Sequence, residues 1–373
     1  MKYEFSTFLV FINLVLLLLV FLFLRRSIAS PGSVSKYKIL LSELLIIVFG
    51  IFPFYSGDFY HLGENILLYQ QGWQVNLETG YEYILRYVHE YILFRAIVWG
   101  ISLLMVFYTI KRLKVPFDYS LLIFSSFFLP AYSYARVSCA MSLMFLGVTY
   151  LVKPILGKKY LSFFLAIGLL YMSTLFHKSA YFAIVAIILG IIFINKDRKQ
   201  TIVILLALLP FLVVIVQYWL GQFMNLNSGD VGLVDVGRGQ QYLDREEKVR
   251  GIGELIGRYL HMTIFYYTVY LYYRIINNEN HNLSKSYCMT FGRIAFLIVF
   301  GASIFAFDLK YYTAFFHYRL LNFAMIPIVL FLGFLRKEKI LMNHVINICI
   351  IGIISGFYTV IYALYCSYVN MKI

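Results

Sequence analysis

Apolar residues in this chain fall in long runs, broken by short charged or glycine-containing stretches, and do not alternate with polar ones. A bilayer-crossing helix needs about 20 mostly apolar residues, with about 17 as the lower bound. Runs of that kind predict helices over 5–24, 39–55, 91–110, 119–135, 137–152, 160–176, 179–195, 201–220, 256–273, 290–306, 320–335 and 344–366. The first run is followed, not preceded, by Arg25-Arg26 and lacks a small-residue cleavage site, so it reads as a retained helix and not a signal peptide. No heptad, internal repeat or low-complexity tract interrupts the series. The pattern predicts an all-α polytopic membrane protein, a bundle of twelve transmembrane helices forming one domain over 1–373. Two polar loops, near 56–90 and 221–255, are the longest connections.

Charges orient the bundle. With the N-terminus outside, the inner loops hold Arg25, Arg26, Lys36 and Lys38, then Lys111, Arg112 and Lys114, then Lys153, Lys158 and Lys159. Later inner loops hold Lys196, Arg198, Lys199, Arg274, Lys285, Arg293, Arg336, Lys337 and Lys339. Lys and Arg concentrate in cytoplasmic loops, so both termini are expected to face out.

Composition agrees and changes one point. The 373 residues are 61% hydrophobic and 13% charged, against about 45–50% and about 25% for soluble domains. The net charge of +14 would suggest a nucleic-acid partner in a soluble chain. Counted by loop, the excess lies inside and the outer face is balanced, so it is read as topology and no nucleic acid is expected. Cys139, Cys288, Cys349 and Cys366 show no paired spacing, and no HExxH, CxxC or DxD pair occurs, so neither disulfides, a metal nor another cofactor is expected.

The same topology sorts the candidate chemistry onto the outer side. Arg136 interrupts the apolar run 119–152, and His177-Lys178 interrupts the run 160–195. Each interruption falls at the turn of a tight helical hairpin. Arg319 and His317 precede the eleventh run, and Asp58 follows the second. Ionisable groups at membrane depth are costly and usually face a cavity or a substrate path. Taken singly, each has a plainer reading. Arg136 is then an arginine snorkelling to head groups, His177 a histidine bonded within the bundle, Lys178 an interfacial anchor and Arg319 a boundary residue. Their convergence on one face favours binding of an anionic group. Arginine presents a planar fork for phosphate oxygens and does not lose its charge, and histidine relays protons near neutral pH. Most of the 33 tyrosines read as interfacial belts, with a minority free to stack on sugar rings.

Glycine-rich stretches carry less. Gly229-Asp230-Val231-Gly232 and Gly237-Arg238-Gly239 follow no strand and read as loop, not as phosphate-binding turns. Gly251-Ile252-Gly253-Glu254-Leu255-Ile256-Gly257 reads as close helix packing where the ninth helix begins. Asp244-Arg245-Glu246-Glu247-Lys248-Val249-Arg250 reads as a short charged helix, with Asp244, Glu247 and Arg250 eligible as substrate contacts if it covers the cavity.

Several of these motifs, taken in order, resemble the EpsG family of polysaccharide polymerases. They are Gly57-Asp58-Phe59-Tyr60, Glu78-Thr79-Gly80-Tyr81, Ser133-Tyr134-Ala135-Arg136 with Ala140-Met141-Ser142-Leu143, and Lys158-Lys159-Tyr160. Phe176-His177-Lys178-Ser179-Ala180 and Tyr318-Arg319-Leu320-Leu321-Asn322-Phe323 complete the series, which spans roughly 40–335. Thr79 and Phe323 stand where the family usually has proline and tyrosine. The resemblance implies a Wzy-type glycosyltransferase with a bundle similar to the GT-C class, acting at the outer face of a bacterial plasma (inner) membrane. Its implied substrate is an oligosaccharide repeat unit on undecaprenyl diphosphate, with a chain-length regulator and a flippase as expected partners. In that frame Arg136 and Arg319, with Lys178, are expected to face the diphosphate. His177 is the first choice of base, Asp58 the second, and Glu78 is expected to position sugar. Tyr60, Tyr81, Arg250, Arg258 and Asn322 complete the expected binding surface. A lipid-linked oligosaccharide flippase and an O-antigen ligase-type transferase are the competing readings.

Overall fold

In a computed structural model, the described residues are 6–73, 75, 77–157, 160–192, 199–225, 252–276, 287–305, 317 and 319–369. Each of the twelve predicted runs coincides with a helix, and no strand occurs among the described residues. In chain order the helices are α1 (Thr7–Leu24), α2 (Lys36–Ile51), α3 (Gly57–Gln70), α4 (Thr79–Leu85), α5 (Tyr91–Arg112) and α6 (117–134). There follow α7 (Val137–Gly157), α8 (Tyr160–Phe176), α9 (Ala180–Ile192) and α10 (Lys199–Asn225). The last four are α11 (Ile252–Ile276), α12 (Tyr287–Ser303), α13 (Arg319–Lys337) and α14 (Met342–Tyr368). Four of them, α1, α5, α13 and α14, are long and apolar enough to cross a membrane, and five shorter apolar helices accompany them. Helix α13 is the central one, with nearly every side chain buried, whereas α1 and α14 are mostly exposed to their surroundings.

The expected loop near 56–90 is partly helical. In α3 the apolar residues Phe59, Leu62 and Ile66 recur every three or four positions and are buried, the spacing of an amphipathic helix. Ser56 caps it by accepting the Asp58 backbone N–H at 3.3 Å. Of the loop near 221–255, α10 takes the first residues and α11 begins at Ile252; Asp244, Glu247, Arg250 and the two glycine stretches lie outside the described residues. So do Lys158, Lys159, Lys196, Arg198, Lys285 and Tyr318.

Two helices carry a π-helical turn, at Ala96–Gly100 in α5 and at Phe124–Phe128 in α6. The second sits where α14 crosses. A Cβ at Gly356 would lie 1.7 Å from the Ser126 carbonyl oxygen, so the crossing admits no side chain there. The glycines that open α11 behave as expected for close packing. The ring of Tyr362 fills the space over Gly253, and the Tyr358 hydroxyl donates to the Gly253 carbonyl at 2.9 Å.

At one end of the bundle the basic turns are strapped together. Arg336 donates to the carbonyls of Ile28 and Ala29 at 2.6 and 2.8 Å. The Asp118 carboxylate accepts the Gly32 N–H on both oxygens, and Lys111 pairs with Glu43. The breaks at Ala135-Arg136 and at His177–Ser179 fall at the opposite end. Helices α7 and α8 form an antiparallel hairpin, so the start of one meets the finish of the other.

Candidate functional site

At that opposite end the interruptions in the apolar runs come together. Ala135 is extended (φ −69°, ψ 122°), which breaks α6 from α7 and leaves Arg136 at the kink. Serines hold the break: the Ser138 hydroxyl donates to the Ala135 carbonyl at 2.7 Å, and Tyr132 and Ser142 share a hydrogen bond of 2.6 Å. Such side-chain bonds replace backbone partners that a continuous helix would have supplied.

The Glu78-Thr79-Gly80-Tyr81 motif docks on this break. Gly80 is needed for approach, because a Cβ there would meet the Phe176 ring at 2.9 Å. Tyr81 is wholly buried, edge-on to Phe176 and stacked on Trp99, and its hydroxyl donates to the Arg136 carbonyl. Burial first, then the nearby Cys139 and Glu78, pushes the Tyr81 phenol well above its ordinary pKa, so it stays a donor.

Docked this way, Glu78 lies between two cation-bearing turns. Its Oε2 is 3.7 Å from Arg136 Nη1, and its Oε1 is 4.0 Å from His177 Nε2. Glu78 Oε2 is buried and makes no hydrogen bond. His177 accepts the Ser179 N–H on Nδ1 at 3.2 Å. Its pKa is lowered to about 3, by burial first and then by the guanidiniums of Arg319 and Arg136. Phe323, beside Asn322 in the first turns of α13, lies edge-on to the His177 ring at 6.5 Å between centroids. Asn322 is buried there, its Oδ1 without a hydrogen bond. Arg136, Glu78, Tyr81, His177 and the Arg319-to-Phe323 turn therefore form one cluster.

Asp58 is exposed on the first turn of α3, and no hydrogen bond or ion pair ties its side chain to the cluster. Tyr60, half-buried, donates to the Phe54 carbonyl at 3.5 Å. Lys178 is exposed, Arg258 is half-buried in the first turns of α11, and Arg250 lies outside the described residues.

One residue escaped the sequence reading. Arg95 is fully buried in α5, with no carboxylate bonded to it among the described residues. It donates to the carbonyls of Ile51 and Gly50, each at 2.7 Å, and to that of Ser133 at 2.8 Å. These are the last carbonyls of α2 and of the helix that ends at Tyr134. Two helix C-termini, each with unpaired carbonyls and a partial negative charge, thus share one guanidinium. Trp99 and Phe59 cover its faces at 4.0 and 5.0 Å. An arginine inside an apolar span was the available signal.

The low pKa of His177 has a consequence for stability. Between pH 6.5 and about 3 the unfolded chain binds a proton at this site that the folded chain does not. Stability should therefore fall as pH is lowered through that window. Burial of His317, whose pKa is also lowered, acts in the same direction. Thermal unfolding of the purified protein from about pH 7 to about pH 5 should show a falling midpoint, and His177→Gln should flatten the slope.

Fold and site together define a helical protein with helices long and apolar enough to cross a membrane and a cluster of arginines, a carboxylate and a neutral histidine at one end. The chain matches the EpsG family over residues 52–372 and belongs to that family, one of polysaccharide polymerase-like and glycosyltransferase-like proteins. No curated protein and no solved structure matches it.

Proposed function

We propose that this chain polymerises oligosaccharide repeat units carried on undecaprenyl diphosphate into a surface polysaccharide, be it O antigen, capsule or exopolysaccharide. The reaction is placed at the outer face of a bacterial plasma membrane, in a single GT-C-like bundle of twelve crossings with both termini outside. One observation carries the reading: Arg136 and the Arg319 turn meet beside Glu78 and His177 at the end opposite the strapped basic turns. By the positive-inside rule that end is the outer one.

In this reaction a sugar hydroxyl of the incoming lipid-linked unit attacks the anomeric carbon of the growing chain. Negative charge builds on the departing diphosphate as the glycosidic bond to it breaks. Arg136 and Arg319 stabilise that charge because they are fixed before it develops. Arg136 is held through its own backbone by Tyr81. Asn322, beside them, is assigned to binding the glycan and diphosphate, and Lys178, Tyr60, Arg258 and Arg250 to binding the same substrate.

Glycan profiling of a strain lacking the gene tests the proposal. A single repeat unit on the normal acceptor supports a polymerase. Loss of all surface glycan points to a flippase, and lipid-linked polymer left unattached points to a ligase; either overturns it.

A further inference from the structure

We propose that Glu78 takes the proton from the attacking sugar hydroxyl, with His177 as its positioning residue; this assignment rests on the polymerase reading above. Of the residues expected at the site, Asp58, His177 and Glu78 could accept a proton, and their surroundings differ.

Asp58 is exposed on α3 and untied to the arginines that would hold the leaving group. His177 is inside the cluster, but its one unprotonated ring nitrogen is already engaged. Nδ1 receives the Ser179 N–H, so the neutral ring carries its hydrogen on Nε2, a tautomer assigned from its partner. That Nε2–H points toward Glu78 Oε1, 4.0 Å away. The imidazole thus has no lone pair to offer an incoming hydroxyl, and the two guanidiniums beside it oppose its protonation.

Glu78 is the reverse case. One oxygen faces the His177 N–H and the other faces Arg136 at 3.7 Å, too long for a hydrogen bond. Oε2 is shielded from solvent with its lone pairs unused. A buried acceptor left unsatisfied is costly, and a hydroxyl donor entering between Glu78 and Arg136 would remove that cost. The same Arg136 faces the site assigned to the diphosphate, so proton acceptor and leaving-group cation lie side by side. Gly80 against Phe176 and Tyr81 against the Arg136 carbonyl fix the Glu78 backbone in this place.

The step balances without a further reactant. The hydroxyl oxygen bonds to the anomeric carbon, and the bond from that carbon to the diphosphate oxygen breaks. Its electron pair leaves with undecaprenyl diphosphate. The hydroxyl proton passes to Glu78 Oε2 and is later released to water.

The test uses the full chain in proteoliposomes, fed lipid-linked glycan extracted from a strain lacking the gene, with polymer read by gel. Glu78→Gln, close in shape, and Glu78→Ala should each lose about 10²-fold or more in polymerisation rate. Sodium formate, a small carboxylate able to enter the space left by Glu78→Ala, should raise that variant's residual rate several-fold and leave Glu78→Gln unchanged. His177→Gln, which keeps a donor toward Glu78, should lose less than His177→Ala. Wild-type rates in Glu78→Gln, or loss confined to Asp58→Asn, overturn the assignment. Failure of formate to restore Glu78→Ala also overturns it and leaves Glu78 as a sugar-positioning group. If the wild-type chain makes no polymer from this glycan, the polymerase reading falls and the assignment with it.

Discussion

Arg136→Ala should cut polymerisation by about 10²–10³-fold, the loss measured when one preorganised donor to a developing charge is removed, or about 2.7–4 kcal/mol of barrier. The protein itself should remain folded. Arg136 is partly exposed, and its ion pair with Glu78 spans 3.7 Å without a hydrogen bond. Its backbone carbonyl still accepts the Tyr81 hydroxyl after truncation of the side chain. A partly buried pair that makes no hydrogen bond contributes on the order of 1 kcal/mol to stability. Arg136→Lys keeps a charge but loses the planar fork, so it should fall between wild type and alanine. Rates in proteoliposomes, with unfolding temperature measured on the same preparations, check both halves. Normal long-chain polymer from Arg136→Ala would remove this residue from the reaction.

Arg95→Ala should strike stability first and the reaction as a result. Truncation leaves three buried carbonyls, those of Gly50, Ile51 and Ser133, without their donor. Leaving a buried acceptor unsatisfied costs about 1–3 kcal/mol. It also frees the last turn of α6 at Ser133, three residues before Arg136, and exposes Trp99, on which Tyr81 stacks. Arg95→Lys retains a charge at two helix C-termini but cannot reach all three acceptors in the same geometry, so it should recover part of the stability. The expected signature is a lowered unfolding temperature for both variants, alanine more than lysine, with polymerisation falling in the same order. A variant lacking Arg95 that unfolds at the wild-type temperature would contradict this role.

The candidate site was legible to different depths. Arg136 and His177 stood out because each breaks an apolar run at a hairpin turn, a position hydropathy exposes directly. Arg95 did not, because one arginine leaves the run 91–110 apolar and its partners are backbone carbonyls, which every residue has. Asp58 and Glu78 are both acids in the same polar stretch, and nothing in their spacing ranks them. Packing separates them: Gly80 and Tyr81 draw Glu78 into the cluster, while Asp58 stays on the exposed turn of α3. The π-helical turn at Phe124–Phe128 was equally silent, since it lies where α14 crosses and no local pattern marks it.

Family, helical class and the positions of the helices are properties of sequence here, because a bilayer-length apolar run satisfies its backbone only as a helix and the interruptions carry the family's motifs. Which polar groups meet is a property of the folded bundle. Residues 78, 136, 177 and 319 lie on separate segments, and their meeting depends on which helix ends share a side and how closely glycine lets them approach. The tautomer of His177 and the open oxygen of Glu78 follow from that meeting, as does the guanidinium of Arg95 closing two helix ends. Each is a relation across long stretches of chain that no local pattern encodes.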